Sequence, residues 1–255
     1  AASGTPAAGS ALSSNYLAQS ALVQALASGF NSIFPILDPV NPTQTGRLLA
    51  AASVPLVQQY SMASRALAEE FYQGERQAAG ITDRFMQVGT PLPAPEKVFQ
   101  YVGWATQPLR EAPQPAPDLL QPVKENATAA LQKLVLDTGR QQIVDNTLAD
   151  RHAKAWAREA RPTACWFCAM LATRGAVYHS AWAAGRRTFM GVDYNSFHRN
   201  CQCAVVPVYT TYAAPDHVQQ WQQLWKDSTG DVRGKAKMRA FRQAYESQQS
   251  QHGAP

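Results

Sequence analysis

Apolar residues recur at helical spacing in several stretches of the chain. Leu56, Tyr60, Ala63, Leu67 and Phe71 follow at intervals of four, three, four and four, which marks one face of a 3.6-residue helix. Gln59, Arg65, Glu69 and Glu70 supply the wet face. Ser53 as a cap and Pro55 in the first turn set the predicted start, and Gly80 sets the end. A second helix is expected from a cap near Asn126, through Leu131, Leu134, Val135, Ile143, Val144 and Leu148, toward Trp156. Gly139 lies inside it, where glycine costs up to about 1 kcal/mol relative to alanine, so the pattern predicts either a break or close packing there. In the tail, Val218, Trp221 and Trp225 form one helical stripe. Met238, Phe241 and Tyr245 form another beyond a break at Gly230–Gly234.

Other stretches lack this period. Residues 1–45 are rich in Ala, Ser, Gly and Pro and read as a mobile arm, with a short docking helix within Leu22–Leu37. Prolines from Pro91 to Pro122 forbid long regular elements, leaving room for a short helix over Val98–Ala105. Cys165–Thr173 reads as another short helix. Ala204–Tyr209 is β-branched and reads as a strand, with Pro207 confining it to an edge. The fold class expected is α+β, mainly helical: a helical N-terminal region, then a small zinc-stapled domain with a short β element and a helical tail.

Composition narrows the function classes. A 255-residue chain that is 45% apolar supports a real core. It contains no apolar run of about eighteen residues and no basic-then-apolar leader, so a soluble protein without membrane contact is expected. The net charge of +5 is uneven: residues 1–150 carry 9 Lys/Arg against 12 Asp/Glu, and residues 151–255 carry 14 against 6. The basic C-terminal half suits an acidic partner, nucleic acid among them.

All four cysteines fall in two clusters, Cys165-Trp166-Phe167-Cys168 and His198-Arg199-Asn200-Cys201-Gln202-Cys203. Three chemistries are open to them. Zinc takes thiolate and imidazole donors in a tetrahedron, CxxC at a helix start is a common half-site, and CxC in extended chain points both sulfurs to one side. The candidate metal ligands are therefore Cys165, Cys168, His198, Cys201 and Cys203, five donors for four positions. Disulfides are the second possibility. The third is a nucleophile, Cys165 or Cys168 at a helix N-terminus with His179 or His198 as base. No oxyanion-hole signature or orienting carboxamide accompanies it, so no catalytic residue is assigned.

Phe197-His198-Arg199-Asn200-Cys201-Gln202-Cys203-Ala204-Val205-Val206-Pro207-Val208-Tyr209 resembles the C-terminal signature of the phage Mu protein F-like family of minor head proteins. Pro162–Gly175, Val177–Ser180, Leu67–Tyr72 and Gly234–Ala244 are similar to its branch in phages of actinobacteria. The resemblance implies a minor capsid protein of head morphogenesis, assembled in the bacterial cytoplasm and carried inside the virion. It implies contact with the portal protein and with the major capsid or scaffold protein, and nearness to packaged DNA. It further implies an N-terminal arm over 1–45, a helical portal- or scaffold-binding region over 46–160 and a Mu F-like C-terminal domain over 161–255. Members of that branch are often labelled capsid maturation proteases, so a cysteine protease acting on head proteins is the rival expectation.

Overall fold

A computed structural model describes residues 8–177, 187–189, 192–194, 201 and 203–251. The fold is α+β and mainly helical, and it divides into two compact units, one ending at Ala149 and the next beginning at Asp150. In the first unit α1 (Ala8–Ile33), α2 (Pro42–Ala78), α3 (Pro95–Ala105), α4 (Gln107–Glu111) and α5 (Leu120–Ala149) enclose one apolar core. Leu26 and Phe30 of α1, Leu49 and Val57 of α2, Val98 and Val102 of α3, and Leu131 and Val135 of α5 are fully buried in it. Each such side chain contributes on the order of 2 kcal/mol by leaving water.

Three helix ends differ from the sequence expectation, each for a local reason. Helix α1 is longer than the short docking helix expected within Leu22–Leu37, because no glycine or proline interrupts Ser10–Ser28 and alanine favours the helix. The first seven residues of the expected arm lie outside the described residues. Helix α2 starts at Pro42, not near Ser53, and carries Pro55 in its interior. Proline there removes the bond to the Ala51 carbonyl, but Ala51 and Pro55 are both exposed, so water can satisfy that oxygen. Ser53 is fully buried and donates to the Leu49 carbonyl at 2.7 Å, extending the turn it was expected to begin. At the far end Gly80 adopts φ 75° and Ile81 N–H bonds the Arg76 carbonyl at 3.0 Å, which closes α2 where expected.

Helix α5 stops at Ala149 instead of continuing toward Trp156. The Asp150 carboxylate accepts the His152 N–H at 3.0 Å, turning the chain out of the helix. Trp156 falls instead in β1 (Ala155–Glu159) of the second unit. That unit continues with α6 (Trp166–Ala172), β2 (Arg187–Phe189), β3 (Val192–Tyr194), β4 (Ala204–Val208), α7 (Asp216–Thr229) and α8 (Lys235–Gln251). Strands β1 and β4 pair antiparallel with Trp156 opposite Pro207 and Glu159 opposite Ala204, and β2 pairs with β3. A proline is tolerated because β4 has a single neighbour among the described residues.

Between α2 and α3, residues 81–94 form a strap with no helix or strand of its own. Side chains of α5 take its backbone bonds: Asn146 Oδ1 accepts Val88 N–H at 2.9 Å, Gln142 Oε1 accepts Thr90 N–H at 3.1 Å, and Gln142 Nε2 donates to the Val88 carbonyl at 2.5 Å. At its start the buried Arg76 donates to Asp83 at 2.8 Å and lies over Phe85, 5.0 Å from the ring centre.

At Gly139 the helix is unbroken and close packing is the outcome. A Cβ there would lie 2.5 Å from Ser64 Oγ and 2.9 Å from the Ser64 carbonyl oxygen. Gln19 of α1 bridges the contact, donating to the Ser64 carbonyl at 3.1 Å and accepting from Ser64 Oγ at 2.9 Å. Gly139→Ala should therefore lower stability by about 1–3 kcal/mol through overpacking, despite alanine's better helix propensity. A thermal melt equal to or above that of the parent chain would show that α2 and α5 do not touch there.

Candidate metal centre

The cysteines sit where two short elements begin. Arg161 to Ala164 form a turn, with Ala164 N–H on the Arg161 carbonyl at 2.9 Å, and deliver Cys165 to the N-cap of α6 in extended conformation. The Cys165 carbonyl accepts Ala169 N–H at 3.0 Å, starting the helix and turning Cys168 inward. Cys201 and Cys203 precede β4 at a two-residue interval, and both are buried.

Cys168, Cys201 and Cys203 bring their sulfurs within 4.8 Å of one another, and all three residues are no more than 4% exposed. The Cys168 and Cys201 sulfurs are 3.5 Å apart, and all four cysteines are free thiols. Four thiolates about 2.3 Å from a tetrahedral zinc lie roughly 3.8 Å from each other, so the observed spacing fits ligands around one cation. Cys165 is exposed and stands outside this cluster. His198 and His179 lie outside the described residues, as do Asn195 to Asn200.

The electrostatics bear on Cys168 as a nucleophile. Hydrogen bonding to Cys201 and Cys203, with burial, pushes the Cys168 thiol far up from its ordinary value. A nucleophilic cysteine needs the opposite, a stabilised thiolate in a polar setting. A divalent cation reverses the balance by replacing the thiol protons with its own charge. The cluster can thus hold a metal ion.

Helices α7 and α8 of the same unit support this turn. Tyr245 of α8 donates its hydroxyl to the Ala164 carbonyl at 2.5 Å, one residue before Cys165. Burial first, then the neighbouring Cys165, raises the Tyr245 hydroxyl, which keeps it a neutral donor. Trp221 packs edge-on to Tyr245 with centres 5.9 Å apart, and Arg242 lies over Trp166 at 5.4 Å. Sequence patterning placed Trp221 and Tyr245 on helical stripes but carried no signal for their contact with the cysteine turn. Glu159 was also missed. It is buried opposite Ala204, the residue after Cys203, and accepts from Tyr212 at 3.1 Å. His217 bonds the Ala160 carbonyl at 2.8 Å.

Burial raises the Glu159 carboxyl above its ordinary 4.5, with the Tyr212 hydrogen bond and the charge of His217 opposing. The fold therefore favours the protonated acid. Its contribution is fully present below pH 4.5 and is lost as pH rises through the raised value. Glu159→Gln should flatten the fall in stability above pH 4.5, read as melting temperature against pH. An unchanged pH profile would place the carboxylate in water.

A family model described as VG15 protein matches residues 5–228. No curated protein matches the chain. No solved structure matches it either. With the greater part of the sequence matched, the chain belongs to the VG15 protein family, a family of phage proteins.

Proposed function

We propose that the protein is a minor capsid protein of a tailed phage, non-enzymatic, with zinc as the staple of its C-terminal unit. The carrying observation is the buried Cys168, Cys201 and Cys203 triad at ligand spacing in a chain of a phage family. The likeness of the His198–Tyr209 stretch to the Mu protein F-like signature supports the finer assignment to head morphogenesis. Zinc bound there supplies a redox-inert crosslink between the start of α6 and the start of β4. Cys168, Cys201 and Cys203 give three ligands, and Cys165 or His198 gives the fourth.

A unit of this size with few buried aliphatic side chains gains much of its stability from such a crosslink. The helical unit is the side we assign to the portal, capsid or scaffold protein. Leu48 and Met62 of α2 and Phe99 and Trp104 of α3 are 41–53% exposed there, apolar surface of the kind that protein partners cover. No helix among the described residues is long and apolar enough to cross a membrane.

Metal analysis of the purified chain should find about one zinc, and Cys168→Ser should lose it together with the fold of the second unit. Zinc lost in Cys165→Ser as well would make Cys165 the fourth ligand, and zinc retained would assign that place to His198. Four thiols protected from titration in a zinc-free chain would sink the staple in favour of disulfides. The protease alternative is separated by the same Cys165→Ser variant: stopped head-protein cleavage in a chain that keeps fold and zinc would overturn the non-enzymatic reading. Mass spectrometry of purified heads should detect the chain, and its absence would overturn the capsid assignment.

A further inference from the structure

The match to the VG15 family ends at residue 228, so α8 lies beyond it. This helix, the turn before it and the end of α7 gather positive charge. From Lys226 to Arg242 six cations, Lys226, Arg233, Lys235, Lys237, Arg239 and Arg242, stand against Asp227 and Asp231. All but Lys237 are exposed. Arg242 is held by Glu246 at 2.8 Å and by the Trp166 ring, whereas Lys226, Arg233, Lys235 and Arg239 meet no carboxylate among the described residues. Asp227 is engaged by Gln223 Nε2 at 2.8 Å.

The cations are arranged as well as numerous. Lys235, Arg239 and Arg242 follow at intervals of four and three, so they share one side of α8. Phe241 and Tyr245, both buried, turn another side into the unit. At 1.5 Å per residue the charged edge is about 10 Å long, a length that spans several phosphates of a nucleic-acid strand. Met238, 39% exposed, is the one large apolar side chain exposed on this helix among the described residues. A protein interface is built on an apolar centre, whereas a surface that tracks a phosphate backbone is polar and strongly positive.

We infer that the cationic edge of α8, with the turn carrying Arg233, binds the phosphate backbone of duplex DNA without selecting bases. The choice of duplex DNA among polyanions rests on the capsid reading above, since a protein inside a tailed-phage head faces packaged genome. Arg242 is tied to Glu246 and Trp166, so Lys235, Arg239 and Arg233 carry the free charge.

Fluorescence anisotropy of the full chain with two labelled duplexes of equal length and unrelated sequence tests this. Both should bind equally at low salt, with affinity falling linearly on a log–log plot against salt. Each phosphate neutralised contributes about 0.9 to that slope. The triple variant Arg233→Gln/Lys235→Gln/Arg239→Gln should flatten the slope by roughly 3 and weaken binding at least about tenfold. Arg47→Gln/Arg84→Gln/Lys97→Gln removes the same charge from exposed positions of the other unit and should leave the slope as it was. Circular dichroism checks that both variants keep the fold. No binding at low salt, an equal loss in both variants, or a strong preference for one sequence would overturn the proposal. Polyglutamate competing as well as duplex would overturn it too, in favour of an acidic protein partner. A chain present in heads that fails to bind duplex defeats this inference alone, and a chain that binds duplex yet is missing from heads defeats the capsid reading.

Discussion

In the second unit the sulfurs of Cys168, Cys201 and Cys203 crowd within 4.8 Å of one another, a spacing that can hold a metal ion. Among the described residues around them are a two-strand pairing five residues long, a seven-residue helix and an aromatic cluster on the last two helices. Soft, polarisable thiols tolerate this crowding as neutral groups and become charged ligands only when a cation is present. A cation at that point would tie the start of α6 to the start of β4. Tyr245 of α8 reaches the cysteine turn through a backbone carbonyl, that of Ala164.

The first unit is held in a different way. Its helices meet over aliphatic side chains, and one close approach is polar, with Gly139 against Ser64 and Gln19 bonding both Ser64 groups. Small residues and a carboxamide let three helices converge at one level. Leu131, Val57 and Phe30 of the same three helices take up volume in the apolar core.

Much of this was legible in the sequence where one physical rule dominates. Helical spacing from Leu56 to Phe71 gave the middle of α2 as a helix, although its buried side runs through Val57, Ser61, Ser64 and Ala68. The cysteine pattern contained the three sulfurs that cluster. Rules in competition were harder to read. Pro55 usually begins a helix, yet it sits inside α2 because its side of the helix is wet. Trp156 continues the helical rhythm of Leu148, but the Asp150 side chain ends that helix and the pairing with Pro207 claims the tryptophan for a strand. Within the site, CxxC spacing treats both cysteines alike. The N-cap position leaves Cys165 in solvent and one turn of helix buries Cys168. Tyr245 was illegible as support because its partner is a carbonyl far away in sequence, and nothing in local patterning marks such a bond.

The strap over residues 81–94 has an evolutionary consequence. Its backbone groups are read by the carboxamides of Gln142 and Asn146, so the information that seats it is written on α5. A main-chain amide looks the same under almost any side chain. Met86, 84% exposed, can drift or be recruited to new contacts while the seat stays intact, whereas proline at position 88 or 90 would erase a donor that no neighbour can replace. Substitutions along this segment should thus be free on its outer side and constrained on the helix beneath it, a division of labour that separates what a loop displays from what keeps it in place.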